Sequence, residues 1–168
     1  RCYACKKSSE SPVNMRLLSM RDHAKKHNSY VEATAKEIEQ LMRDYDDTCA
    51  YCLKKKGDGD PTYHIEHVFP RSHRLGMTHS IDNLVISCKP CNARKGTKSV
   101  MQFFRDYDGF TETALQLLIA VMAARKEVSM KEVTALLAVQ DAEYQLERFH
   151  EHEKPFSDLE FDTTVIKT

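Results

Sequence analysis

All six cysteines of the chain fall into three Cys-x-x-Cys pairs, Cys2/Cys5, Cys49/Cys52 and Cys88/Cys91. No other feature restricts the fold as much. Two sulfurs on one tight turn face a single ion, and two such pairs supply the four thiolates of a tetrahedral structural zinc site. For Cys49, Cys52, Cys88 and Cys91 to meet, the segment between them must double back. Lys54 to Pro61 is charged and glycine-bearing and reads as a turn. His64 to His67 reads as a strand stopped by Pro70, which cannot donate to a ladder, and Leu84 to Ser87 as the returning strand, leading into a helix at Cys88. Few hydrophobic residues lie between Cys49 and Lys98, so metal is expected to supply much of the local folding energy.

The formal net charge is zero, but it is unevenly spread. Residues 49–105 carry ten Lys/Arg against four Asp/Glu, and residues 106–168 carry six against thirteen. A basic middle suits a phosphate backbone, because Lys and Arg displace condensed counterions from a duplex. The acidic end fits either a solvated helix surface or a docking surface for a protein partner. The longest apolar run, Leu117 to Ala124, is too short to cross a bilayer. With cysteines spaced for metal rather than disulfides, the expectation is a soluble, reducing, cytoplasmic setting and no membrane partner. The chain opens at Arg1 without an initiator Met, which also fits a processed or excised piece.

The segment from His64 to Lys98 holds a set of residues suited to hydrolysing a phosphodiester. That reaction needs a base to take a proton from water and a divalent cation to stabilise the departing alkoxide. Imidazole titrates near neutral pH, which makes His67 the natural base. The carboxylate of Glu66 and the amide oxygen of Asn92 are hard donors, few enough to leave room for the waters and phosphate oxygens that Mg²⁺ also takes. Adjacent strand residues point to opposite faces, so the strand must end or kink for Glu66 and His67 to serve one phosphate. Asn83 stands just before the return strand, where its amide can donate to and accept from backbone near His67. His64, one strand period from Glu66, reads either as a further ligand or as an ordinary strand histidine.

In order, these residues are Glu66-His67, Pro70, Asn83-Leu84 and Cys88-x-x-Cys91-Asn92-x-x-Lys95-Gly96. The series resembles the HNH, or ββα-metal, endonucleases, with His67, Asn83 and Asn92 at the three signature positions. The resemblance covers Cys49 to about Gln102. It implies an α+β fold, a ββα-metal or treble-clef nuclease core flanked by additional helices. It also implies cutting of DNA with Mg²⁺ or Mn²⁺, leaving 5′-phosphate and 3′-hydroxyl ends. The loop from Arg71 to Asp82 would lie against the substrate, with Arg71 and His73 on phosphates. Lys95 matches the family pattern, while Arg94 and Lys98 join the nucleic-acid-binding set by charge and position. Glu66 stands where Asp is common, and Asn92 where His is common; Asn also occurs there in RNA-guided relatives. The rival readings are a non-catalytic zinc module that binds nucleic acid and a nuclease subunit active only with a protein partner.

The flanks read as helices. Residues 1–28 place Cys2, Cys5, His23 and His27 in a pattern that resembles a two-Cys, two-His finger with an unusually long interval. The segment reads either as a second zinc site or as an idle cysteine pair with exposed histidines. Residues 29–48 form a packing helix with Ser29 and Glu32 as its capping box, and with Val31, Ala35, Ile38, Leu41, Met42 and Tyr45 on one face. The nuclease core spans 49–109, its metal-side helix continuing through Met101, Phe103 and Phe104 to Tyr107. A helical pair spans 110–154. Thr111 caps the first helix, with Leu115, Leu118, Ile119 and Met122 inward; Ser129 and Glu132 cap the second, with Val133, Leu136, Leu137 and Tyr144 inward. A tail, 155–168, closes the chain. The acidic pair is also the candidate surface for a partner or homodimer.

Overall fold

The computed structural model describes residues 12–26, 30–57, 63–72 and 78–152. The chain is an α+β protein in which helices surround two small sheets. Helix α1 spans Pro12–Lys26, strand β1 Tyr30–Val31 and helix α2 Ala35–Tyr45. Strand β2 is His64–His67, β3 Thr78–His79 and β4 Leu84–Ser87, the last entered from a 3-10 turn at Ile81–Asn83. Four helices follow: α3 Lys89–Lys95, α4 Val100–Asp106, α5 Glu112–Lys126 and α6 Met130–His152.

Strands β2 and β4 form an antiparallel hairpin, with Glu66 opposite Val85 and His67 opposite Leu84. Every residue of β4 is buried, as expected of a strand covered on both faces. The Cys49–Cys52 turn docks on it, the Ala50 N–H donating to the Ile86 carbonyl at 2.8 Å. Tyr51 then enters the core edge-on to Phe103 and Phe110, at centroid distances of 5.3 and 5.2 Å. One hydrophobic cluster runs from Val13 and Leu17 of α1, through β4, to Val133 and Leu137 of α6.

Three expectations about the helices need correction. Helix α2 begins at Ala35, and its capping box is Thr34/Glu37, not Ser29/Glu32. The sequence offers two Ser/Thr-x-x-Glu boxes in succession, and Tyr30 and Val31, aromatic and β-branched, are taken by parallel pairing with Thr78 and His79. Helix α3 does not continue to Tyr107. Gly96, at φ 50 and ψ −125, turns the backbone out of the helix, and the Ser99 hydroxyl starts α4 by accepting from the Gln102 N–H at 2.9 Å. A left-handed φ of this kind suits a residue without Cβ. Finally, Leu136 is exposed rather than inward and Tyr144 is half-buried, whereas Gln140 is buried and its Oε1 accepts from the Val100 N–H at 3.4 Å.

The other helix readings hold. Thr111 caps α5, and Leu115, Leu118, Ile119 and Met122 are buried. Ser129 and Glu132 exchange hydrogen bonds at the start of α6. Helix α6 is fastened to α4 by Arg105, whose Nη2 donates to both carboxylate oxygens of Asp141 at 2.9 Å. No described helix is long and apolar enough to cross a membrane.

Candidate active site

The metal corner is assembled from two short windows. Cys49 and Cys52 come from the turn that docks on β4; Cys88 is the N-cap of α3, and Cys91 lies in its first turn. The four sulfurs lie within 4.8 Å of one another, and Cys52 Sγ and Cys88 Sγ are 3.8 Å apart. A tetrahedron with zinc–sulfur arms of about 2.3 Å has edges of about 3.8 Å, whereas a disulfide needs about 2.05 Å. All four cysteines are free thiols, three of them buried. Protons are shared unequally among them. A hydrogen bond from the Cys91 thiol, helped by backbone N–H groups, pulls Cys49 down to about 5, and burial pushes Cys52 up to about 11. Four clustered thiols, three of them buried, form a donor set that fits a structural zinc ion.

The second corner lies at the end of β2. The strand ends only after His67, so Glu66 and His67 both lie within the ladder, opposite Val85 and Leu84, and the expected break between them does not occur. Beyond His67 the Val68 N–H donates to the Asn83 carbonyl at 2.9 Å. The Asn83 side chain then holds Phe69 at both ends: its Oδ1 accepts from the Phe69 N–H at 2.7 Å, and its Nδ2 donates to the Phe69 carbonyl at 3.0 Å. Asn83 is itself fixed from behind by α5, where Arg125 Nη1 donates to the Leu84 carbonyl at 2.9 Å and Lys126 lies 3.7 Å from Asp82.

Lys95 corrects the sequence reading. It was expected on the nucleic-acid face, but its side chain is 0% exposed. Its Nζ donates to Glu66 Oε1 at 2.9 Å and to the His67 carbonyl at 2.8 Å. An ammonium turned inward in this way does not reach a phosphate on the surface. Burial holds it below the usual lysine range, opposed by the Glu66 carboxylate. It thereby ties Glu66 Oε1 to the backbone carbonyl of His67.

One residue of this corner was missed. His79 is 1% exposed, and its Nδ1 lies 2.9 Å from His67 Nε2, the rings meeting edge to face at 78°. In the sequence it was one of several charged or polar loop residues, and no spacing rule marks it.

The remaining candidates sit around these two corners. Asn92 is half-buried on α3, one turn before Lys95, and α3 packs on β2. Arg71 is exposed just past Pro70. Arg94 is exposed, its guanidinium 5.0 Å over the Tyr107 ring, and Lys98 pairs with Asp106 at 2.7 Å. His64 is exposed at the far end of β2, opposite Ser87. Cys2, Cys5, His27 and His73 lie outside the described residues, as does the side chain of His23.

Comparison with known families bears on this geometry directly. Residues 49–98 match the model of the HNH endonuclease family. The matched HNH segment contains Cys49/Cys52 and Cys88/Cys91, both strands of the hairpin and α3, and leaves out α1, β1, α2 and everything after Lys98. No curated protein matches the chain.

Proposed function

We propose that the chain is a metal-dependent HNH endonuclease that hydrolyses DNA phosphodiester bonds, with His67 as general base. The observation that carries this reading is the end of β2. There His67 and Glu66 are consecutive residues at a strand terminus that Asn83 and Lys95 hold by hydrogen bonds. A module that only binds nucleic acid has no need of so constrained a histidine.

His67 takes the proton from the attacking water. Asn83 supports it by fixing the turn at Phe69, and Lys95 by fixing the His67 carbonyl. Glu66 and Asn92 would hold Mg²⁺ or Mn²⁺, which supplies Lewis-acid stabilisation of the leaving oxygen when bound. The donors fit such a cation: both are hard oxygens, and the carboxylate charge is already partly offset by Lys95, so affinity depends on phosphate oxygens that arrive with the substrate. Arg71, Arg94 and Lys98 are suited to phosphate contact, which positions DNA without reading its sequence. By the family resemblance the products carry 5′-phosphate and 3′-hydroxyl ends.

The test is conversion of supercoiled plasmid to nicked and linear forms by wild type and His67→Ala, with Mg²⁺, Mn²⁺ or chelator. Wild type should cut only with the metal. His67→Ala should lose about 10²- to 10⁴-fold, the usual worth of a general base, with zinc content unchanged. Unaltered cutting by His67→Ala would overturn the assignment.

A second reading, in which cutting needs a protein partner, draws on a different observation. Val139, Leu146 and Phe149 are exposed along one stripe of α6, at the heptad-like spacing of an interaction seam. Activity that appears only when a co-purifying protein is added back would favour it.

A further inference from the structure

General-base catalysis by His67 leaves open which ring nitrogen takes the proton, and the buried neighbour of that ring answers the question. A neutral imidazole carries one N–H and one lone pair. His67 Nε2 and His79 Nδ1, 2.9 Å apart with the rings edge to face, are placed for one to donate to the other. If His79 donated, the lone pair of His67 would be used in that contact and its Nδ1 would hold the proton, leaving no basic nitrogen. If His67 Nε2–H donates, the lone pair of His67 lies on Nδ1, and His79 carries its own proton on its buried Nε2. Only this second tautomer is competent.

Resting on the nuclease reading, we propose that His79 is a positioning residue whose Nδ1 accepts the Nε2–H of His67 and so makes Nδ1 of His67 the base. The proton taken from water goes to His67 Nδ1 and none passes to His79. The same contact persists when His67 becomes an imidazolium, now as a stronger, charge-assisted hydrogen bond. The arrangement follows the logic of catalytic triads, in which a buried third group fixes the tautomer and orientation of the base.

What keeps His79 in place lies outside the HNH segment. Val31 of β1 pairs with His79 of β3, and the Ala33 N–H donates to the His79 carbonyl at 3.0 Å. Ala33 is buried, and the next residue, Thr34, caps α2. The turn between β1 and α2 is therefore a bracket for His79. Residues that precede the family match thus hold the positioning histidine in place.

The test uses the full zinc-loaded chain and two independent readouts. The tautomer of His67 is read from ¹⁵N spectra of histidine-labelled protein, and plasmid cutting is measured for wild type, His67→Ala, His79→Leu and His79→Asn. Wild type should show the Nε2–H tautomer at His67. His79→Leu should lose that preference and at least about 10-fold in kcat, with KM changed by less than about two-fold. His79→Asn presents Oδ1 where Nδ1 stood and should restore most of both. An Nδ1–H tautomer in wild type, or equal activity in the Leu and Asn variants, would overturn the proposal. Absence of cutting by wild type would strike at the nuclease reading instead, and the tautomer would still decide the pairing. Should His79→Leu fail to fold, the Asn variant and the wild-type spectrum decide alone.

Discussion

The two corners of the site differ in how far their parts are drawn from along the chain. The cysteine corner is local twice over: each pair comes from one turn, and the fold needs only to bring two windows together across the β2–β4 hairpin. The histidine corner is assembled from β2, the turn at Asn83, β3 and α3, with β1 and α5 behind them. The first corner is a compact set of sulfurs that fits a structural zinc ion. The second is a set of short polar contacts that has geometry only while the surrounding helices hold it.

Removing the ion is the strongest way to break this contrast. Structural zinc contributes on the order of 10 kcal/mol or more to small domains of this kind. Cys88→Ser with Cys91→Ser should lower zinc content by one equivalent per chain and abolish the cooperative unfolding of the hairpin, followed by circular dichroism and native mass spectrometry. The damage should cross to the other corner, because α3 starts at Cys88 and carries Lys95 to Glu66. A cooperative melt that survives loss of the metal would mean the apolar core alone holds the hairpin.

The second test acts on the histidine corner and leaves the zinc in place. Lys95→Met removes a buried cation and strands Glu66, whose side chain is only 13% exposed. Breaking one partner of a buried ion pair costs about 3–5 kcal/mol. The loss should appear in the urea midpoint, with zinc content at the wild-type level. Adding Glu66→Gln to that variant should recover part of the stability, since the stranded charge is then gone. A cost under about 1 kcal/mol would place the pair among the weakly coupled surface bridges.

The same contrast explains what the sequence disclosed. The clustering of the four cysteines, the hairpin and the bracing position of Asn83 were legible because their information is local: a spacing, an alternation, an amide before a strand. Lys95 was misjudged because a lysine in a basic segment reads as a surface charge, and nothing along the chain announces that Glu66 will sit 2.9 Å away. His79 was passed over for the same reason, since its significance depends on a strand pairing between residues 31 and 79. The start of α2 was misplaced where two capping boxes competed, and tertiary pairing of Tyr30–Val31 decided between them. The break at Gly96 was legible in principle, with a glycine and a capping serine three residues apart.

The smallest expected effect sharpens the comparison from the cysteine side. Tyr51 lies between the first two zinc ligands, fully buried against Phe103 and Phe110. Its hydroxyl has no hydrogen-bond partner among the described residues. Burial, first of all, holds the phenol well above the ordinary tyrosine range, with the carboxylate of Glu66 adding to the effect, so the group stays neutral. The ring provides packing, and the hydroxyl contributes desolvation without a compensating bond. Tyr51→Phe keeps the ring and should stabilise the chain by about 1 kcal/mol, raising the melting temperature by a few degrees with zinc content unchanged. If the variant is instead destabilised by a similar amount, the hydroxyl has a partner in solution, and the cysteine corner, like the histidine corner, depends on a polar contact brought in from elsewhere.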